Sequence, residues 1–276
     1  MLEPSLQLAA RIEAAEVQVG RALVRAADAL FPNDGAMFLE LGGGACFSTG
    51  KLQPQALVVG MGLGGEVFGG EVIDGDLERM IELLDARQIA AEARVASFAE
   101  PSLVPRLVAL GFAEQGNEIT LARELSNADF QVKLPAGYSI QGLHPGRVEQ
   151  WVHTVALGSC TEAEMSPAIL QHLLTNTAAE GFLGFVVTQG NEIVAAAGVQ
   201  CAADTAGLFG HATKQRFRQR GLQQALIAHS LAVCSERGIT LAKLNAGRDT
   251  SSLRNAQRQG FVPVYTRTKL TRAATG

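Results

Sequence analysis

Four cations, Lys214, Arg216, Arg218 and Arg220, fall within seven residues, and Gly221 follows at once. An apolar run, Leu208 to Thr213, precedes them, and Leu222, Ala225, Leu226 and Val233 recur behind them at helical spacing. The pattern predicts a strand, a basic loop and a long helix between Leu208 and Gly238. The first amides of a helix find no acceptor inside it, and its dipole favours negative charge at that end. With a glycine at the entry and guanidinium groups alongside, such a start is built to hold an anion, most naturally a phosphate. The stretch therefore predicts a phosphate-bearing ligand. The plain alternative is a solvated basic loop in front of an ordinary surface helix.

The elements around this stretch belong to a chain of 276 residues, long enough for two ordinary domains or one large one. A hydrophobic content of 47% points to a globular protein, and a net charge of −4 argues against nucleic acid as the main partner. The basic loop thus stands out locally against an acidic background. Cys46, Cys160, Cys201 and Cys234 lie far apart in sequence, with no metal-ligand or CxxC spacing, and read as buried reduced thiols; no metal site is expected. Glu3, Arg11, Glu13 and Glu16 interrupt the N-terminal segment, which reads as no signal peptide, and no apolar window is long enough to span a membrane. A cytoplasmic protein is expected, with the oligomeric state open between monomer and homodimer.

In chain order, Pro4 and Ser5 open a helix with Ile12, Val19, Leu23, Ala26 and Leu30 on one face, closed by Pro32 to Gly35. Short strands are expected over Ala36–Leu41, Ala45–Ser48, Ala56–Val59 and Glu66–Phe68, then a helix over Asp76–Arg87, a strand over Glu92–Phe98, a helix over Ser102–Leu110 and a strand over Asn117–Leu125. A strand Tyr138–Leu143 begins the second half. Helices Pro145–Leu157 and Ser166–Ala179 follow, the latter with Ser166 as cap and Pro167 first. Strands Phe182–Thr188 and Glu192–Gln200 meet in a tight hairpin at Gly190 and Asn191. After the basic stretch come a strand Ile239–Ala246, a helix Ser251–Gln259 and a strand Val264–Leu270.

Gly111-Phe112 and Gly260-Phe261 both sit between a helix and a strand, 149 positions apart, and at that offset Ser102 falls on Ser251, Leu121 on Leu270 and Leu77 on Leu226. Two copies of one fold are expected, residues 1–130 and 131–276. Where the second copy has its cations, the first has GGEVIDGD, with Glu71, Asp74 and Asp76 where an anion would sit; like charges repel, so the first copy is read as having no cofactor loop. Gly60, Gly62 and Gly65 spell the dinucleotide-binding GxGxxG, which would make the chain a reductase. That motif requires the glycine turn to open the helix, and the next helical pattern starts about ten residues later, so these glycines read as turns or bulges.

Arg218 to Leu226, RQRGLQQAL, resembles the pyrophosphate loop of the GNAT acetyltransferase superfamily, whose usual form is Arg or Gln, two residues, Gly, one residue, and Gly or Ala. Arg218 and Gly221 match, and Gln223 replaces the second small residue. The order of strand, two helices, three antiparallel strands, helix, strand, helix, strand over Leu134–Thr271 is also that of the family. The resemblance implies an α/β (α+β) protein of two GNAT-like domains, each a mixed, mostly antiparallel twisted sheet flanked by helices, the first degenerate and the second catalytic. It implies acetyl-CoA as co-substrate and acyl transfer to a primary amine of a small molecule or a peptide. Carried over position by position, Arg218, Gln219, Arg220, Gly221, Leu222, Gln223 and Gln224 would hold the diphosphate. Ala212 and Thr213 would line the cofactor arm by their backbone, an amide there steadying the developing oxyanion. The arm would enter where that strand splays from Ile239–Ala246.

Members of the family often place a glutamate on this strand to deprotonate the amine. No acid occurs between Gly207 and Thr213, and His211 is the titratable side chain there, on the same strand face as Thr213. A hydrogen-bonded structural histidine is the competing reading, and Glu162 and Glu164 are alternatives for gripping the ammonium. The tyrosine that often protonates the leaving thiolate corresponds to Ala256, and the usual asparagine to Asp249, while Asn255, Ser251 or Ser252 remain to bond the arm. His229 reads as a core histidine and Trp151 as a packing residue; Cys160 has no neighbouring base that would make it a nucleophile. The competing functional class is a non-catalytic acyl-CoA-binding or regulatory module.

Overall fold

The computed structural model describes residues 2–53, 55–63, 72, 74–125 and 130–275. The chain divides into two compact units that a single cut near residue 130 does not reproduce. The first holds Met1–Leu121, Asn245–Leu253 and Val262–Gly276, and the second holds Ala122–Leu244 and Arg254–Phe261. The last strand of the sequence thus belongs with the N-terminal unit, because its ladder partner lies there.

In the first unit, α1 (Leu6–Leu30) starts where the Ser5 hydroxyl accepts a hydrogen bond from the Leu8 amide and stops ahead of Pro32. It is followed by β1 (Met37–Leu41), β2 (Gly44–Ser48), β3 (Gln55–Val59), α2 (Asp74–Arg87), β4 (Ala90–Ala96), α3 (Leu103–Ala109) and β5 (Ala113–Glu124), whose residues from Ala122 on belong to the second unit. The sheet order is β1-β2-β3-β4-β11-β5, where β11 is Val262–Arg272. The β1–β2, β2–β3 and β4–β11 ladders are antiparallel, the last pairing Leu270 with Ala93, and β3–β4 is parallel. Leu77, Met80 and Leu84 of α2 pack with Val58, Val95, Leu107, Phe112 and Leu270 in one apolar core. The expected strand Glu66–Phe68 lies outside the described residues. β5 begins four residues earlier than its apolar pattern, because Ala113–Gly116 lie exposed on a strand that only later turns inward.

The second unit contains β6 (Ser139–Gly142), the 3-10 helix Pro145–Arg147, α4 (Val148–Ser159), α5 (Pro167–Ala178), β7 (Phe182–Gln189), β8 (Glu192–Ala202), β9 (Thr205–Thr213) and α6 (Leu222–Glu236), with further 3-10 helices at Glu162–Glu164 and Gln215–Phe217. β10 (Leu241–Ala246) and α7 (Ser251–Arg258) follow, each running across the division between units. The sheet runs β10-β9-β8-β7-β6, antiparallel except for the parallel β9–β10 pair. Both units are therefore mixed, mostly antiparallel sheets flanked by helices. α4 lies close on β9: a Cβ on Gly158 would stand 2.5 Å from that of Ala212, so only glycine lets the helix approach this far. Trp151, fully buried, meets Phe182 and Phe209 edge-on at 5.3 and 6.3 Å between ring centroids.

Candidate functional site

Two irregularities in β9 shape the region ahead of the basic loop. Ala212 pairs with Ala196 and Phe209 with Gly198, so Gly210 and His211 together oppose Ala197, which is a β-bulge. Gly210 takes φ +63 there. Ala197, the β8 residue facing the bulge, accepts a 3.0 Å hydrogen bond at its carbonyl from the indole N–H of Trp151. Trp151 is thus more than the packing residue its sequence context suggests. The second irregularity is on the other edge of β9, where β10 pairs only at Thr205, Ala206 and Gly207. From Leu208 to Thr213 that edge carries no ladder among the described residues, at the place where the resemblance implies a splay.

The loop between β9 and α6 is pinned from inside. Phe217 is buried, with the Arg216 and Arg220 guanidiniums 4.9 and 5.5 Å from its ring centroid and the Tyr138 ring edge-on at 6.4 Å. Arg220 donates to the Tyr138 hydroxyl at 2.7 Å and to the Arg216 carbonyl at 3.2 Å, and Arg218 donates through Nε to the Thr213 carbonyl at 3.1 Å. Gln219 at φ +63 and Gly221 at φ +75 turn the chain into α6. Left-handed residues of this kind, two positions apart, point successive N–H groups to one side, as in anion-binding nests. None of the amides from Gln219 to Gln224 meets an acceptor among the described residues, and Gly221 caps α6 with no side-chain bond.

The four cations of the sequence divide into two pairs. Glu192 at the start of β8 accepts from Arg216 at 2.5 and 2.6 Å and from Lys214 at 3.0 Å, and these partners, Arg216 foremost, hold its carboxyl below the usual carboxylate range. Among the described residues Arg218 and Arg220, both exposed, hydrogen-bond only to neutral oxygens, so their charge remains for a ligand. Neither Glu192 nor Tyr138 carries a sequence signal for this role, since each is brought to the loop by strand pairing.

His211 lies on the face of β9 opposite Ala212, whose side chain meets α4, and so on the α6 side of the sheet. Its Nε2 is shut from solvent with no hydrogen-bond partner among the described residues, as is the Thr213 hydroxyl on the same face. Burial pulls the imidazole down to about 4. The ordinary imidazole pKa that recommended it as a base is therefore not the one it has here. Asn255 gives its side-chain N–H to Gln223 Oε1 at 3.0 Å, and Ala256 is buried. Glu164 accepts from the Thr161 amide and hydroxyl in its own turn, and these two bonds hold its carboxyl low. His229 is half-buried with its ring edge-on to Phe185 at 5.4 Å. Cys201 and Cys234, distant in sequence, are neighbours in the fold, and the Cys234 thiol, with Arg237 nearby, lowers the pKa of Cys201.

At the corresponding place in the first unit, Asp76 in the first turn of α2 accepts a 3.1 Å bond from the Gly42 amide; Glu71 lies outside the described residues. Gly60 and Gly62 follow β3 at φ +76 and +74 as turns, and Gly65 lies outside the described residues.

A diphosphate-bearing ligand fits the second unit: the amides at Gln219–Gln224 lack acceptors, and a Cβ built on Gly221 meets nothing within 4 Å, so the space above them is open. No protein-family model matches the sequence, and no curated protein matches it. Solved structures do. A GCN5-related N-acetyltransferase from Kribbella flavida superposes with a TM-score of 0.68 at 20% identity, over 97% of this chain and 96% of that one. A GCN5-related N-acetyltransferase from Sphaerobacter thermophilus gives 0.61 at 15% identity over 85% and 78%. A tandem GNAT protein from the clavulanic acid biosynthesis pathway gives 0.61 at 15% identity over 84% and 79%. At such identities the likeness speaks for architecture, and by it the chain has the fold of the GCN5-related N-acetyltransferases.

Proposed function

We propose that the chain is an acetyl-CoA-dependent N-acetyltransferase acting on the primary amine of a small molecule, in the cytoplasm that its free thiols suit. The observation that carries the reading is the row of acceptor-free amides from Gln219 to Gln224 at the start of α6, beside the unpaired edge of β9. Bound acetyl-CoA supplies a thioester whose acetyl group passes to the amine with release of the thiol. The chain's part is to hold and orient. The Gln219–Gln224 amides with Arg218 and Arg220 grip the diphosphate, and the free edge at Ala212 and Thr213 receives the arm and offers a backbone N–H to the developing oxyanion.

His211 keeps the role of proton acceptor in this reading, in altered form. Burial keeps its imidazole neutral through the working range, so it carries no proton when the amine arrives. A cavity of about 440 Å³ lined by Glu149, His153, Glu192 and Lys214 has the capacity of a small acceptor and offers the Glu149 carboxylate to an ammonium.

Thermal unfolding with acetyl-CoA tests the cofactor site. At a hundredfold excess over Kd the wild type gains about 2.7 kcal/mol, and Arg218→Ala with Arg220→Ala loses most of that gain. An equal gain in both proteins shows that the loop is not the site. The buried Ala256, where a family tyrosine would stand, and a β9 without an acid favour a second reading, an acyl-CoA-binding module. Tight binding with no turnover of any amine in a broad panel decides for it.

A further inference from the structure

Gln223 is the residue of the loop that departs from the family's loop pattern, and its side chain has a definite place. It sits at the second position of α6, where a long side chain can swing across the open amides of its own first turn. Instead, its Oε1 accepts the 3.0 Å bond from Asn255 Nδ2 on α7, and Asn255 Oδ1 in turn accepts from Arg258 Nη1 at 3.1 Å. The chain of contacts has a direction. Arg258 occupies the Asn255 oxygen, which orients the amide so that its N–H faces Gln223, and Gln223 is drawn away toward α7. Amide against amide, the alternative rotamer of Asn255 would present oxygen to oxygen and repel.

We propose that Asn255 is a positioning residue, set by Arg258, which holds the Gln223 side chain off the first turn of α6 and so keeps the diphosphate amides open. The inference rests on the reading of that turn as the coenzyme's diphosphate site. It assigns Asn255 a task different from direct contact with the cofactor arm: the side chain acts through Gln223 and need not touch the ligand. It also accounts for a glutamine being tolerated where glycine or alanine is usual, since a tethered glutamine leaves the backbone as accessible as a small residue does.

Calorimetric titration of the full chain with coenzyme A, and separately with adenosine 3′,5′-diphosphate, tests it without any turnover. The expected pattern is a five- to twentyfold weaker coenzyme A affinity in Asn255→Leu and its restoration in the double variant Asn255→Leu with Gln223→Ala; Gln223→Ala alone, which keeps the backbone amide that grips the diphosphate and loses only the tethered side chain, should bind no more weakly than wild type. A purely structural defect in α7 is not rescued by shortening a residue on α6, so that restoration is the diagnostic result. Adenosine 3′,5′-diphosphate, which keeps one of the two bridge phosphates, should lose less affinity in Asn255→Leu than coenzyme A does, and circular dichroism of all four proteins shows that the variants are folded. Coenzyme A affinity unchanged in Asn255→Leu, or a Gln223→Ala variant that itself loses binding, overturns the inference alone. A wild-type chain that binds no coenzyme A overturns the diphosphate reading and the inference with it.

Discussion

The residue that best separates position from chemistry is His211. Its place on β9 is where a proton acceptor is sought, yet burial without a partner for Nε2 gives it a pKa of about 4. The consequence for stability has a definite sign. Above pH about 6.5 the imidazole is neutral in both the folded and the unfolded chain and contributes nothing to pH dependence. As pH falls from there to about 4 the unfolded chain binds a proton that the folded chain refuses, so stability declines through that window and the decline levels off below it. Urea midpoints measured from pH 4 to 7 should show a steeper acid loss for wild type than for His211→Gln, the two curves converging near neutrality. Parallel curves would return the imidazole to an ordinary environment. The same burial predicts an activity profile in which His211 gives no acid limb near pH 6.5.

At the scale of elements, the bulge in β9 sets where α4 can lie. Gly210 holds φ +63, and a Cβ there would stand 2.8 Å from Val155 Cγ1 of α4. Gly210→Ala therefore combines left-handed strain, about 1–2 kcal/mol, with overpacking, about 1–3 kcal/mol. A loss of about 2–5 kcal/mol in chemical unfolding is expected, with partial recovery in Gly210→Ala with Val155→Ala because only the clash is relieved. A loss within 0.5 kcal/mol would mean that α4 stands off the strand. This bulge is also where the sequence became hard to read. Strand, loop and helix from Leu208 onward were legible because apolar spacing, four cations and a glycine are all local signals, and the splay followed from the resemblance. A bulge shows in sequence only as one glycine among many. The Trp151 bond to Ala197 links residues 46 positions apart, and the pairing of Lys214 and Arg216 with Glu192 comes from strands meeting in space; neither leaves a pattern along the chain. Boundaries drifted where strands began with exposed residues, as β5 does.

For the whole molecule, the question is which residues must be present for the first unit to exist, and the answer includes the end of the chain. Arg267 of β11 is wholly buried. Its Nε donates at 2.7 Å to Glu13, itself wholly buried, which also accepts from the Tyr265 hydroxyl at 2.7 Å and from the Gly60 amide at 3.2 Å. Glu16 and Glu118 stand 3.4 and 3.5 Å from the same guanidinium, and the surrounding carboxylates raise its pKa beyond the ordinary arginine value. Such a pair adds little over a well-packed apolar replacement, but removing one partner strands a buried charge, at a cost of about 3–5 kcal/mol. Arg267→Met should lose about that much, and Glu13→Leu with Arg267→Met should recover most of it. Truncation after Gly260 goes further, removing Arg267, Leu270 and the ladder that pairs β11 with β4 from Ala91 to Ala96. Hydrogen exchange should then find β4 amides unprotected, although every residue lost lies in the C-terminal half. If β4 kept its native protection in the truncated chain, the first unit would fold without its borrowed strand, and two contiguous halves would describe the molecule after all.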